Sequence, residues 1–472
     1  MNTDVLVVGA GPTGLALAVD LARRGVRALV VEKAEGLFPG SRGKGLQPRT
    51  MEVLDDLGVL DAVRAAGGPY PVNMVWKDGE RAGEHRMFDA SEPTEAEPFQ
   101  GPWMLPQWRT QEILFARLTE LGGEVAFGRE LVGIAQDADG VTAEFAAGAP
   151  VRARYAVAAD GGRSTVRRAL GIGMTGETVD PQPVLVADVR LDGPLGGLDR
   201  ENWHVFPPAG DQGYMAICPL PGVEDFQLVA QFAEGTTPDL SLDGIRKLVA
   251  TRSHLAPDAV TEVRWASGFR PRAAMADRFR EGRVFLAGDA AHVHSPAGGQ
   301  GLNTSIQDAY NLGWKLSAVL RGETGPTLLD SYEEERLPNA AAMLGLSTRV
   351  HRGEVRRGEA TDQLGLGYRG RALSSETRAA LPEDALHAGD RAPDGIRGGV
   401  RLFDAFRGPH WTLLTVGTDA GLPDLGRLPA VRIPAYEAYG TGVFLVRPDG
   451  YVGWAGVTAE GLAEYAAGVG LS

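Results

Sequence analysis

Cysteine is almost missing from this chain: Cys218 is the only one in 472 residues. Intrachain disulfides and redox dithiols are thereby excluded. Positive charge is also scarce. The 47 Lys and Arg face 61 Asp and Glu, a formal net charge of −14. Binding to nucleic acid or to an anionic membrane is not expected from that balance. No stretch reaches the roughly 18 uninterrupted apolar residues of a membrane span. The first apolar run begins by Asp4, which predicts no signal peptide and a cytoplasmic protein. Internal repeats are missing. No Gly-x-Ser-x-Gly elbow occurs, and no cysteine has a histidine partner. His292 and His294 lack a third ligand, so no metal is expected, and His292 reads as a packing or hydrogen-bonding residue of its loop.

What is present is a set of four apolar runs with informative ends. Val5–Val8 leads into Gly9-Ala10-Gly11-Pro12-Thr13-Gly14. Ala28–Val31 stops at Glu32, Tyr155–Ala159 at Asp160-Gly161, and Val284–Ala287 at Gly288-Asp289. Runs of this kind suit strands buried on both faces of a parallel sheet. Ligands of such sheets sit beyond the carboxyl ends of the strands. The glycine loop and the three acids are therefore expected to converge on one nucleotide.

The local chemistry agrees. Gly9, Gly11 and Gly14 allow a pyrophosphate to approach backbone N–H groups at a helix start, where the helix dipole favours negative charge. Glu32 follows Gly14 by 18 residues, near the ~20 of a ribose-binding acid. A carboxylate there disfavours a 2′-phosphate, so this site predicts FAD or NAD, not NADP. No second fingerprint exists, and an enzyme using both FAD and a nicotinamide would have no second Rossmann domain. Gly298-Gly299-Gln300-Gly301 instead precedes a long helix, Leu302 to about Leu320. It brings the N–H groups of Gly301, Leu302 and Asn303 to a helix start suited to the anionic edge of a reduced flavin. Asp289 is expected to bind flavin ribityl hydroxyls.

The rest of the chain predicts a helix over Leu15–Arg24, with Asp20, Arg23 and Arg24 on its polar face and Gly25 ending it. A second helix spans Thr110–Leu121. Short strands are expected near Glu124–Phe127 and Val141–Phe145. Residues 73–99 are polar and read as an excursion from the sheet. Val184–Leu191, Trp203–Phe206, Tyr214–Cys218 and Phe226–Phe232 predict an antiparallel sheet. Residues from about 388 read as a small separate α/β unit.

At this point the chain resembles a known family. Gly9–Gly14, Ala159-Asp160-Gly161-Gly162-Arg163-Ser164 and Gly288-Asp289-Ala290-Ala291-His292 are similar to the three signatures of single-component FAD-dependent aromatic hydroxylases (group A flavoprotein monooxygenases, p-hydroxybenzoate hydroxylase-like). Ser295 to Ala309 is similar to that family's most specific stretch. Ser41-Arg42-Gly43 and Leu105-Pro106-Gln107-Trp108-Arg109 resemble the aromatic polyketide branch, with the rifampicin monooxygenases as a near neighbour. Gly389–Asp394 and Val446–Tyr451 are similar to the family's thioredoxin-like C-terminal domain, without Cys-x-x-Cys.

The resemblance implies an α/β architecture: a Rossmann-like FAD-binding domain, an antiparallel-sheet substrate domain and a thioredoxin-like domain. Residues 1–72, 100–182 and 272–345 would form the first, 73–99 and 183–271 the second. Residues 346–387 would be a helical connector and 388–472 the third domain. Gly9, Gly11 and Gly14 would hold the pyrophosphate and Glu32 the adenosine ribose. Arg42 would lie near the flavin or the nicotinamide. Gln107 would touch the sugar-phosphate region, and Leu131 would lie near the adenine. Asp160 would serve FAD and, indirectly, NAD(P)H. Asp289 would hold the ribityl chain. Pro296 would face the isoalloxazine where oxygen reacts, and Gly301, Leu302 and Asn303 would cradle its pyrimidine edge.

The implied reaction is NAD(P)H-dependent hydroxylation, NADPH favoured, of a phenolic or polyketide aromatic by O2 through a flavin C4a-hydroperoxide in a dry pocket. Baeyer–Villiger insertion by the same flavin species and a non-catalytic flavoprotein are the alternatives. Trp203, Phe206, Tyr214, Phe226 and Phe232 are the candidate substrate-lining residues. The assembly is expected to be a monomer or a homodimer.

Overall fold

The structure, a computed structural model, describes residues 2–88, 92–208, 213–426 and 428–471. Residues 89–91 and 209–212 of the expected substrate domain lie outside the described residues, as do 1, 427 and 472 of the outer two. The architecture is mixed α/β with several sheets, the class expected from the sequence.

The main sheet places Val284–Leu286, Val151–Ala158, Asn2–Val8, Ala28–Val31 and Glu124–Ala126 side by side in that order. All four pairings are parallel. Val5, Leu6, Val7, Ala156, Val157, Val284, Phe285 and Leu286 are fully buried. Both faces are covered, which is why these strands read as continuous apolar runs and not as alternating ones. The hairpin Leu131–Gln136 and Val141–Phe145 joins through Val151–Ala158.

Helix Pro12–Arg23 follows the first strand, with Pro12 at the first helical position, where no N–H is needed. Gly25 ends it at φ +73°, a left-handed conformation that glycine adopts without strain. Its polar residues do not face water as expected. Asp20 is fully buried and pairs with Arg23 at 2.6 Å and Arg24 at 3.0 Å. The cause is a second helix, Gly301–Leu320, lying across the first. Gly313 of that helix leaves no space: a Cβ there would stand 2.1 Å from Asp20 Oδ2. Every residue from Asn303 to Val319 is buried.

The second large sheet runs Val260–Phe269, Val184–Leu191, Asp225–Gln231, Met215–Pro219, Asn202–Phe206, Val72–Lys77 and Glu80–His85. The expected excursion thus supplies two strands. They are joined by Asp78-Gly79, both at positive φ, the dipeptide that two-residue hairpins favour. Leu185, Ala187 and Val189 alternate onto one face with Phe226, Leu228, Met215 and Ile217, under Ile245, Leu248 and Val249 of helix Leu242–Arg252. Residues of opposite parity face the first domain.

The stretch 346–387 is not the helical connector expected. Helix Asp330–His351 ends inside it, Glu359–Asp362 is one turn, and Ser375–Glu376 already pairs with the C-terminal sheet. Glycine at 353, 358, 365, 367 and 370 removes helical continuity. The C-terminal sheet orders Ser375–Glu376, Val452–Gly456, Gly442–Val446, Thr412–Val416 and Ala430–Ile433, with mixed directions.

That unit is held to the rest by buried charge. Arg447 donates to both oxygens of Glu335, at 2.7 and 2.9 Å, and pairs with Asp449 at 2.6 Å. Lys315 Nζ reaches Glu335 at 2.6 Å. Trp314 Nε1 donates to Asp449 at 3.0 Å. All four charged side chains are essentially inaccessible. No helix among the described residues is long and apolar enough to cross a membrane.

Candidate active site

The four parallel strand ends lie adjacent, so the turn Gly9–Gly14, Glu32, Asp160 and Gly288-Asp289 share one edge of the sheet. Steric demand explains two of the glycines. At Gly9 (φ +109°) a Cβ would stand 2.4 Å from the Ala159 carbonyl oxygen, and at Gly14 one would stand 2.0 Å from the Gly9 oxygen. Gly11 is different: a Cβ there would meet nothing within 4 Å. The space in front of Gly11 is open, beside a helix whose first amides have no preceding turn to bond. That is where a pyrophosphate fits.

Glu32 is fixed by two backbone amides. Ala10 N–H donates to its Oε2 and Ala34 N–H to its Oε1, both at 3.0 Å. The carboxylate is held at the end of its strand with lone pairs left for ribose hydroxyls. Leu131 is buried and opens its strand two residues after Arg129, whose amide donates to the Glu32 carbonyl at 2.8 Å. Asp160 Oδ2 accepts from Thr165 N–H at 2.7 Å and from Val166 N–H, capping a short helix, while its buried Oδ1 has no partner. Burial raises its pKa, against the opposing pull of those hydrogen bonds.

Asp289 is open on one side, yet surrounding protein pushes its carboxyl pKa up, with His292 and Arg42 acting in the opposite direction. Partial enclosure by protein disfavours the charged form of a carboxyl in this way. Arg42 is exposed, lies over the Phe38 ring at 5.5 Å and is within electrostatic reach of Asp289. Its loop is clamped. Gln107 N–H donates to the Gly43 carbonyl at 3.0 Å, and Gly43 N–H donates to Gln107 Oε1 at 3.2 Å.

Helix Gly301–Leu320 starts where the sequence placed it, so Gly301, Leu302 and Asn303 present its first amides. The Asn303 side chain does not cap the helix. It accepts from Gln47 N–H at 2.8 Å and donates to the carbonyls of Gly45 at 2.9 Å and Gly299 at 2.8 Å. Pro296 is exposed at the head of the turn Pro296–Gly298 just before.

Sequence reasoning missed what stands behind this turn. His292 Nε2–H donates to Asp308 Oδ2 at 2.6 Å, and His294 is bonded to His292 at 3.0 Å. Arg336 Nε donates to Asp308 Oδ1 at 2.8 Å, and Gly288 N–H to Asp308 Oδ2 at 3.0 Å. Burial tends to raise Asp308, but His292 and Arg336 outweigh it and hold the carboxyl near 2. Burial, with the neighbouring His292, drives His294 down to about 3. Asp308 lies inside the family-like stretch, the one signal that marked it. Among the described residues no group of His, Cys, Asp and Glu could hold a metal ion.

The five aromatic candidates divide by strand parity. Phe206 and Phe226 sit in the core under helix Leu242–Arg252, and Phe232 packs against that core beneath Arg252. These three are not brought to the shared edge, because the helix covers their face. Trp203 lies on the opposite face, with Lys44 Nζ 4.1 Å from its ring centroid. Lys44 donates to Gln227, and Gln227 to the Ser41 carbonyl. Asp188 and Cys218 flank Gln227 across the strands. Burial raises Asp188 to about 6, opposed by Ser41 and Lys44. Tyr214 shares the parity of Ala216 on this inner face, and burial raises its pKa, with Asp180 and Arg357 within electrostatic reach.

Residues 2–347 match the family model described as the FAD binding domain. The chain belongs to this family of flavin-dependent monooxygenases. It is 47% identical over 479 residues to the flavin-dependent monooxygenase of Mycobacteroides abscessus, covering 98% of this chain and 99% of that one. It is 39% identical to the rifampicin monooxygenase of Streptomyces venezuelae over 72% of this chain and 69% of the relative. The ternary complex of aklavinone-11 hydroxylase with FAD and aklavinone superposes with a TM-score of 0.84 at 31% identity, over 99% of this chain and 98% of that one. The monooxygenase therefore binds FAD, and the residues above fit it: open space at Gly11, a fixed Glu32, an unsatisfied Asp160 oxygen and an Asp289 open on one side.

Proposed function

We propose that this monooxygenase hydroxylates a phenolic or polyketide aromatic with NAD(P)H and O2, NADPH favoured. Bound FAD supplies the oxygen-activating chemistry, in the family manner through its C4a-hydroperoxide. The observation that carries the reading is the sharing of one loop. Ser41–Gln47 is tied on one side to the helix start through Asn303 and on the other to the inner face of the substrate sheet through Lys44 and Gln227. A flavin edge at Gly301–Asn303 and a substrate over Trp203 would therefore meet across this loop.

In this reading Gly9, Gly11 and Gly14 hold the pyrophosphate, Glu32 the ribose and Asp289 the ribityl hydroxyls. Arg42 supplies positive charge beside the flavin. Gln107 keeps the Arg42 loop in place. Leu131 borders the adenine, Asp160 steadies the cofactor side of the sheet, and Pro296 borders the oxygen-reaction face. Trp203 and Tyr214 are the aromatic walls. The covering sheet excludes water, which protects reactive oxygen species from unproductive decay. The relatives named for rifampicin and aklavinone support an aromatic polyketide as the substrate class.

The test is turnover of the FAD-loaded protein with NADPH, a panel of aromatic polyketides and isotopically labelled O2. One labelled oxygen as a ring hydroxyl, matched by NADPH consumption, is expected. An oxygen inserted into the ring, seen by product NMR, would replace hydroxylation by Baeyer–Villiger chemistry. NADPH use with no labelled product from any panel member would sink the reading.

A further inference from the structure

The chain is strongly acidic overall, yet one hollow in it is basic. A cavity of about 410 Å³ opens between the end of hairpin 72–85 and the segment that follows helix Asp330–His351. His85, Arg86, Arg356 and Arg357 line it, with Met87 and Val350 as apolar wall. No Asp or Glu among the described residues lines it. Arg86 and Arg356 have no carboxylate partner among the described residues. Of the acids nearby, Glu354 is engaged with Arg349 and Glu177 with Arg352. A concave site lined by one sign of charge concentrates its field and draws in the opposite sign. The volume is that of a pocket for a drug-sized molecule.

From Arg357 in the wall of the hollow, a row of aromatic contacts leads to the inner face of the substrate sheet. Arg357 lies over Phe88 at 5.5 Å, Phe88 meets Tyr70 edge-on at 5.3 Å, and Tyr70 is 6.1 Å from Trp203. Trp203 in turn carries Lys44 at 4.1 Å. The row ends at the Ser41–Gln47 loop, not at Glu32. A ligand that matches it has a flat apolar body and an anionic end.

We propose that this hollow binds the ionised acid group, a carboxylate or acidic enolate, of an elongated aromatic substrate whose ring system runs along Phe88, Tyr70 and Trp203. The assignment rests on the aromatic-hydroxylase reading above and adds the charge and the binding direction of the substrate. Arg86 and Arg356 are specificity residues: they act on which aromatic binds, not on the oxygen transfer.

The test uses the FAD-loaded protein and two probes, the hydroxyanthraquinone acid rhein and its methyl ester, with binding measured by calorimetry at low and high salt. The acid is expected to bind about tenfold more tightly than the ester at low salt, equivalent to roughly 1.4 kcal/mol. The double variant Arg86→Gln/Arg356→Gln is expected to lose that preference while ester affinity and FAD content stay unchanged. Equal affinity for acid and ester, no binding of either, or a preference that survives in the variant overturns the proposal. A rise in the dissociation constant for NADPH, with the acid preference intact, also overturns it and assigns the hollow to the coenzyme. Charge preference without any oxygenation of aromatics would instead sink the hydroxylase reading and leave the anion site standing.

Discussion

Asn303 and Gln47, 256 positions apart, are joined by a 2.8 Å hydrogen bond from the Gln47 amide to the Asn303 side-chain oxygen. The same side chain donates to Gly45 and Gly299. One buried amide group therefore fixes the start of the long helix against the loop that carries Arg42. Asn303→Ala would leave a buried N–H and two carbonyls without that partner. A loss of about 2–4 kcal/mol is expected from unsatisfied groups of this kind, read as a lower Tm together with a lower flavin-to-protein absorbance ratio. An unchanged ratio would show that the cross-link does not shape the cofactor site.

Asp289 and Arg42 should separate binding from reduction. Asp289→Ala removes a charge-assisted hydrogen-bond acceptor of a kind worth roughly 1.5–3 kcal/mol, so the purified variant should lose FAD. Asp289→Asn should retain more of it. Arg42→Ala should slow flavin reduction by NADPH in stopped flow more than it lowers FAD content. A variant at 289 as yellow as wild type, or normal reduction at 42, would remove the corresponding role.

Acid stability should depend on His294. Its folded-state pKa lies near 3, below the ordinary 6.5, so the unfolded chain takes up the proton first. The stability that this neutral, buried ring contributes is full above about pH 6.5 and falls as the pH drops toward 3. Roughly 2 kcal/mol should be lost between about pH 6.5 and 5 from this group. His294→Gln, which does not titrate, should flatten that part of a urea-unfolding series. Identical slopes in variant and wild type would refute the assignment.

The two faces of the antiparallel sheet predict opposite phenotypes. Phe206→Ala empties a core position and should cost about 3–5 kcal/mol with KM for an aromatic substrate nearly unchanged. Trp203→Leu should raise that KM by about tenfold, the loss of roughly 1.4 kcal/mol of stacking contact, with little change in Tm. Thermal melts and steady-state kinetics on the two variants decide between them.

The buried charges at the C-terminal junction should be intolerant of single changes. Arg447→Met leaves Glu335 with Lys315 as its one cation, beside the Asn311 amide, and Asp449 without its cation. Breaking a buried pair from one side costs about 3–5 kcal/mol, so proteolysis within 353–390 should become faster and Tm should fall. Undiminished resistance to protease would mean that the apolar contacts, such as Trp314 on Trp411, suffice for docking.

The strand ends are legible because burial on both faces writes itself as unbroken Val, Leu, Ala and aromatic residues, with a glycine loop or an acid marking where each strand stops. Helix Gly301–Leu320 and strands Val184–Leu191 and Val141–Phe145 were read nearly to the residue. Asp20 was misread because a charged residue on a helix normally signals water, and only the crossing helix with Gly313 makes that face an interior one. The alternation that separates Trp203 from Phe206 is present in the sequence. Which of the two faces helix Leu242–Arg252 covers is not, so Phe206, Phe226 and Phe232 were grouped with Trp203 and Tyr214. Asp308 and Arg336 stand 28 positions apart, and nothing local links them. Asn303 was read for its amide, while its side chain performs the longer-range task.

Helix Gly301–Leu320 is a common axle. Its first turn borders the proposed flavin edge, Gly313 lies on Asp20 of the nucleotide-binding helix, and the adjacent Trp314 and Lys315 enter the C-terminal charge cluster. A chain cut after helix Asp330–His351 would keep the whole family-matching region, residues 2–347, but strip Arg447 and Asp449 from Glu335 and Lys315. The remaining interior would then hold charges matched for a partner no longer there. The C-terminal unit is on this view part of the catalytic body's own interior, and exchanging it between relatives would require carrying Lys315 and Glu335 along with it.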